Sequence, residues 1–197
     1  MDEITLSNIL HENVKDTDKY LGIYTKNNFF GLNIMKYEYC SLVLFIDNIS
    51  INLGHWCVIV KIRNNLYFLD SFALHPQYYG IDFKYIKNSK KLCVYYLTQR
   101  TQDDDTSTCG AYVIYYLMNI INCKYKITCF ISRFRQTFFE TNYRKNDQFI
   151  IYYLSTKFPK YVSEKNCVNF FCNSNFIINR KQCLETLCNV SSKVSEV

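Results

Sequence analysis

The chain's clearest chemical signal is Cys109-Gly110. The pair stands where a polar loop, Gln102-Asp103-Asp104-Asp105-Thr106-Ser107-Thr108, meets AYVIYYLMNII at 111–121, a run apolar on nearly every face. A thiol attacks as its thiolate, and a free cysteine holds little of that form at neutral pH. A catalytic cysteine therefore needs a depressed pKa, which a helix N-terminus and a neighbouring imidazole provide. Gly110, having no side chain, would let a substrate backbone come close. Taken alone, the dipeptide fits a buried core thiol equally well.

The base has three candidates, His11, His55 and His75. His11 lies in a polar N-terminal segment and His75 in a Leu-His-Pro loop, whereas His55 opens a β-prone run beside the only tryptophan. In a strand Trp56 alternates away from His55, so it would brace the site rather than touch substrate. The imidazole needs an acceptor on its other nitrogen to fix tautomer and orientation, and Asp70 ends the next β-prone run. A two-residue turn at Asn64-Asn65 would set Asp70 opposite Ile59, on the correct face but four residues from His55. The pairing must shift for the two side chains to meet. Acyl chemistry also needs a donor for the developing oxyanion besides the Cys109 N–H; Gln102 stands seven residues before the cysteine, and Gln99 is the alternative.

These side chains need elements to hold them. Leu6, Ile9, Leu10 and Val14 fall at helical spacing and predict an N-terminal helix. EYCSLVLFI at 38–46, 55–62, 66–70 and Cys93-Val94-Tyr95-Tyr96-Leu97 read as strands, the middle two as a hairpin turning at Asn64-Asn65. The all-round apolar run after Cys109 predicts a central helix surrounded by protein. NDQFIIYYLSTKF at 146–158 predicts an amphipathic helix with Asn146 as N-cap, closed by Pro159. The fold class expected is α+β, a mixed sheet packed on a buried helix that starts at the nucleophile.

With 197 residues, 49% of them hydrophobic, the chain is long enough for a sizeable core and reads as one domain over 1–197 with a polar tail from about 189. No apolar run approaches the roughly 20 residues that span a bilayer. No leader pattern is read at the N-terminus, so the ten cysteines are expected to be mostly reduced and the protein not secreted. Residues 124–197 hold 12 Lys or Arg against 5 Asp or Glu, and residues 1–123 hold 11 against 12. All the net positive charge thus sits in the last third, which suits a polyanion such as nucleic acid or simply a solvated surface. Cys123, Cys129, Cys167, Cys172, Cys183 and Cys188 have no C-x2-C spacing and no downstream histidine, so buried thiols are expected there rather than zinc.

The order His, Asp, Gln, Cys-Gly resembles the adenain family of cysteine proteases, encoded by adenoviruses, Polinton/Maverick elements and other large DNA viruses. Tyr20-Leu21-Gly22-Ile23-Tyr24 is similar to the family's FLGTY-like opening, and Gly54-His55-Trp56 to its GG-x-HW strand. Leu69-Asp70-Ser71-Phe72 is similar to its FEPFG-like strand end, and Gln148 to Tyr161 to its QLYSFLERHSPYF-like helix. The likeness covers most of the chain.

The resemblance implies a papain-like cysteine protease fold of the adenain/SUMO-protease type. It implies a triad of His55, Asp70 and Cys109, with Gln102 at the oxyanion hole and no metal. It also implies cleavage of viral or mobile-element precursor proteins after Gly-Gly or Gly-X during virion maturation, in the virion and in the host nucleus or cytoplasm, by a monomer. The family's activators are DNA and a short viral peptide that can form a disulfide with the enzyme; Cys93 sits near the position of the cysteine that pairs with it. Where adenain has Glu, this chain has Asp70. The same residue order occurs in SUMO and NEDD8 proteases, so a peptidase for ubiquitin-like proteins is the alternative. A non-catalytic DNA-binding or capsid-associated protein that retains the fold is the second. The Asp103-Asp104-Asp105 run is a difficulty, since negative charge beside the thiol would raise its pKa. These carboxylates are expected to face solvent or a basic substrate.

Overall fold

The computed structural model describes residues 1–14, 19–48, 53–86, 92–139 and 141–162. The polar tail and Cys167, Cys172, Cys183 and Cys188 lie outside them. The chain forms an α+β fold on one mixed sheet: β1 (Tyr20–Thr25), β2 (Tyr39–Asn48), β3 (Leu53–Ile62), β4 (Asn65–Leu69) and β5 (Cys93–Tyr96), side by side in that order. β2, β3 and β4 pair antiparallel, while β1 joins β2 and β5 joins β4 in parallel.

The middle of the sheet is covered on both sides. This is why EYCSLVLFI reads as a continuous apolar run and not as an alternation. Trp56, Val58 and Val60 of β3 face a core shared with α1 (Glu3–Val14) and α3 (Cys109–Asn122), where Leu6, Ile9, Leu10 and Val14 are buried as their spacing predicts. Cys57 and Ile59 face a second core with Phe29 of α2 (Lys26–Phe30), Ile34 and Phe83. Side chains alternate along a strand, so His55 shares the Cys57 face, turned away from the body of α3.

α3 is the central helix that the sequence predicts. It begins at Cys109 and is buried continuously from Cys109 to Leu117. The high aromatic content has its structural use around it: Tyr112, Tyr115 and Tyr116 meet Phe134 and Phe138, while Phe130 and Phe149 close the cluster through tilted and edge-to-face ring contacts. The last two belong to α4 (Ile127–Thr137) and α5 (Tyr143–Lys157).

Three expectations need correction. The hairpin turns at Arg63-Asn64, with Arg63 at a left-handed φ of 55°, and pairs Ile62 with Asn65. α5 starts at Tyr143 with Asn142 as its N-cap; Asn146 is buried inside the helix. Cys123 and Cys129, flanking the α3–α4 turn, form a disulfide, so reduced thiols are found at Cys40, Cys57, Cys93 and Cys109 but not at this pair. Among the described residues no helix is long and apolar enough to cross a membrane.

Leu117 is fully buried against the sheet side of α3. Leu117→Ala should lower unfolding stability by about 2–5 kcal/mol, the cost of a core cavity, with the denaturant slope unchanged. A loss under about 1 kcal/mol in urea unfolding would show that the α3 core collapses to fill the space.

Candidate active site

The corrected hairpin register solves the problem of reach. With Val58 opposite Leu69, Asp70 falls beside Cys57 on the shared face, diagonal to His55. His55 Nε2 meets Asp70 Oδ1 at 2.6 Å, with both side chains buried. The Asp70 carboxylate is held from four directions. Oδ1 also accepts from the Phe72 N–H at 3.1 Å, and Oδ2 accepts from the Leu74 N–H at 3.0 Å and the Tyr79 hydroxyl at 2.9 Å. The loop can curl back on the carboxylate because Ala73 takes a left-handed φ of 56°. His55 stacks on Phe72 and Tyr79, with ring centroids 5.0 and 5.5 Å away, which fixes the imidazole plane and offers aromatic faces to a cation.

With Nε2 engaged by Asp70, Nδ1 is the nitrogen left for the thiol, and Cys109 is hydrogen-bonded to His55. Burial pushes the Cys109 thiol up, but the His55 hydrogen bond and charge and a donation from the Trp56 backbone N–H outweigh it, and its pKa lies below the ordinary thiol value. Burial likewise disfavours the His55 cation; interactions with Cys57, Asp70 and Cys109 reverse this, and its pKa lies well above the ordinary imidazole value. Of these partners, Cys57 is itself pushed up to about 12, chiefly by burial, so it is a neutral thiol at pH 7. With Cys57 neutral, Asp70 and Cys109 are the partners left to favour the imidazolium.

Gln102 is buried beside this pair. Its Oε1 accepts from the Ser71 hydroxyl at 2.6 Å and its Nε2 donates to the Thr106 carbonyl at 2.7 Å. A primary amide carries two N–H protons, so one remains for the cleft. The first N–H groups of a helix have no acceptor within it, which leaves the Cys109 N–H as a second donor there. Gln99 is not at the site; its amide donates to the Phe138 carbonyl. A cleft of about 310 Å³ opens over these groups, lined by Gly54, His55, Phe72, Tyr78, Gln102 and Cys109.

The remaining residues also find places. Trp56 points to the α3 side and braces it: a Cβ on Gly110 would meet the Met1 side chain at 3.1 Å and Trp56 at 3.6 Å. The missing side chain at 110 thus makes room for packing inside the protein, not for a substrate. Asp104 faces solvent and pairs with Arg100 at 2.6 Å, and Asp103 Oδ1 caps the Asp105 N–H, so the acidic run has local partners. Cys93 is exposed on β5, not buried. His75 caps the short helical turn after it. The ligand-type atoms of His55, Cys57 and Asp70 lie within 4.8 Å of one another, but four donors already saturate Asp70, and the cluster reads as a base with its orienting acid. Ser71 and Tyr79 were not singled out in the sequence, although Ser71 adjoins Asp70. Nothing local in either residue marks its role.

No family model matches this chain, and no curated protein matches it. The arrangement itself can generate a thiolate, hold an imidazolium beside it and offer two N–H donors.

Iodoacetamide should label Cys109 in the native protein along a pH profile with its midpoint below the ordinary thiol value, while Cys57 stays unlabelled until denaturation. His55→Ala should move that midpoint upward. Equal labelling of both thiols, or an unmoved midpoint, would contradict the ion pair. If peptide hydrolysis is observed, its rate should rise with pH as Cys109 ionises and fall as His55 loses its proton. Asp70→Asn should bring the alkaline limb down, because it removes the charge that favours imidazolium.

Proposed function

We propose that the chain is a cysteine endopeptidase with a papain-like fold of the adenain type. The observation that carries this reading is the convergence of His55, Cys109 and Gln102, brought from β3, the start of α3 and the loop before it, onto one cleft, with Asp70 at the end of β4 buried behind His55 and bonded to it. In the proposed reaction the Cys109 thiolate attacks the scissile carbonyl. The Gln102 amide and the Cys109 N–H stabilise the oxyanion, His55 protonates the leaving amine, and water then releases the acyl group. The chemistry requires no metal or organic cofactor. By resemblance, the substrates are viral or mobile-element precursor proteins cut after Gly-Gly or Gly-X during maturation of a virion, in the particle or the host nucleus or cytoplasm.

Two surface features support the proposed activators. Lys124, Lys126, Arg133, Arg135 and Lys145 are exposed on the α4–α5 side, and among the described residues from 124 to 162 the one acidic side chain, Asp147, is buried. That surface suits the phosphates of double-stranded DNA. Among the described residues β5 is an edge strand of the sheet, exposed throughout and carrying Cys93, Val94, Tyr95 and Tyr96 beside a second cleft of about 510 Å³. An activating peptide that adds a strand there would bring a thiol within reach of Cys93.

Hydrolysis of a fluorogenic peptide ending in Gly-Gly should depend on Cys109, with Cys109→Ala falling to about one thousandth of the unmutated rate or below. Double-stranded DNA should raise the unmutated rate. A folded SUMO fusion cut in preference to the extended peptide would instead favour a ubiquitin-like-protein peptidase. DNA binding by both proteins with hydrolysis by neither would favour the non-catalytic reading.

A further inference from the structure

Asp147 on α5 is a fully buried carboxylate that the catalytic chemistry leaves unused. Its surroundings are unusual for an acid. Among the described residues no cation pairs with it; four donors converge on it instead. Oδ2 accepts from the Asp103 N–H at 3.0 Å and the Thr106 hydroxyl at 2.7 Å, and Oδ1 accepts from the Thr108 hydroxyl at 2.8 Å and the Tyr112 hydroxyl at 2.9 Å. Three of these donors lie between Gln102 and Cys109, and the fourth is one turn into the nucleophile's helix. Burial pushes the carboxyl above its ordinary range, and the converging donors pull against that rise.

The preceding residue completes the attachment. Asn146 donates from Nδ2 to the carbonyls of Thr101 at 3.2 Å and Phe139 at 2.8 Å, and its Oδ1 accepts from the Phe139 N–H at 2.8 Å. The segment from 101 to 108 is thus pinned to α5 at both of its ends. Thr106 matters most for the chemistry, because its carbonyl accepts the Gln102 amide while its hydroxyl is held by Asp147. Thr108 is the N-cap of α3 but makes no side-chain cap, its hydroxyl being committed to Asp147. No side-chain oxygen of that residue then competes for the first N–H groups of the helix, which are left for the oxyanion.

On the reading of this site as a cysteine peptidase, we propose that Asp147 is a positioning residue for the oxyanion hole. It holds Thr106 so that the Gln102 amide faces the developing charge, with Thr108 anchoring the same loop to α5. It does not touch substrate; it acts through Gln102. Preorganised donors are valuable because they need not reorient at the moment of reaction, and a loop free to move would lose that benefit even with Gln102 present.

Asp147→Asn tests this without changing volume. A carboxylate accepts on both oxygens, whereas an amide turns one end into a donor, so at least one pair of the four donors loses its acceptor. The experiment measures kcat and KM for the Gly-Gly peptide in the unmutated protein, Asp147→Asn, Gln102→Ala and the double variant, with folding checked by circular dichroism. The expected result is a fall in kcat of about ten- to a hundredfold for Asp147→Asn with KM within about threefold, since the lost interaction belongs to the transition state. The double variant should lie within about threefold of Gln102→Ala alone, because two residues acting through one donor are not additive.

Multiplying effects in the double variant, or a folded Asp147→Asn with unchanged kcat, would overturn the proposal. If Asp147→Asn does not fold, Thr106→Val, which removes one of the four donors and keeps the size, takes its place in the same cycle with an expected kcat loss of about three- to tenfold. Absence of Cys109-dependent cleavage in the unmutated protein would remove the peptidase reading and this inference together. Cleavage that ignores Asp147 and Thr106 would remove the inference alone.

Discussion

The site depends on one short contact, the hydrogen bond between His55 and Asp70, and that contact depends on strand register. Side chains on a strand have a period of two, so a slip of one residue in the β3–β4 pairing would turn Asp70 to the opposite face. Moving the turn by one residue keeps the face but shifts the opposing partner by two, from Cys57 to Ile59, and takes the carboxylate away from the imidazole. The turn at Arg63-Asn64 is therefore as much a part of the site as the side chains. Among the described residues no arginine or lysine pairs with Asp70. Two backbone N–H groups and the Tyr79 hydroxyl stand in for one, and they let a buried carboxylate sit against a histidine whose pKa is raised well above the ordinary value.

The base, the nucleophile and the oxyanion donor each have a separate support. The hairpin carries His55 and Asp70 on one face of the sheet, while α3 packs on the other face and brings Cys109 to the start of β3 by its N-terminus alone. The loop between them bonds within itself and is also tied to its neighbours: Ser71 binds Gln102, Arg100 Nε donates to the Gln102 carbonyl, and Asn146 and Asp147 grip the segment from α5. Such a network is worth having only when every member is satisfied, since a lone buried polar group costs more than an apolar replacement. Among the described side chains, no buried nitrogen or oxygen lacks a partner.

What could be read in the sequence was what is local. Cys109 at the head of an apolar run, His55 at the start of a β-prone run and Gln102 in the loop announce themselves by residue type and neighbourhood, and the structure brings all three to one cleft. The hairpin was legible but its turn was not, because Arg63-Asn64 and Asn64-Asn65 are both acceptable turn pairs and both leave Leu66 and Phe68 on the second-core face, so the apolar pattern does not choose between them. Asn146 was misread because an asparagine before an apolar run is the usual mark of a helix start, and its real partners, Thr101 and Phe139, lie 45 and 7 residues away. The disulfide of Cys123 with Cys129 and the exposure of Cys93 likewise follow from tertiary placement and leave no trace in spacing. The likeness to the adenain family rests on the local signals, and the α+β sheet and helix arrangement is compatible with it.

Cys57 makes plain what separates a nucleophile from a bystander. Two thiols flank the same imidazole, both buried, and both are drawn toward ionisation by His55. Burial raises both and is more complete at Cys57, and histidine proximity lowers both, so the rest of the difference lies in their other partners. Cys109 sits at the first position of a helix and receives the Trp56 N–H, so its negative charge meets fixed positive dipoles. Cys57 is fully buried in mid-strand, and burial, with the Asp70 charge opposing a second anion, pushes its thiol up to about 12. A His-x-Cys pattern on a strand thus leaves a thiol pushed up by burial, whereas Cys109, at a helix start, is drawn down by the His55 hydrogen bond and charge and by the Trp56 N–H.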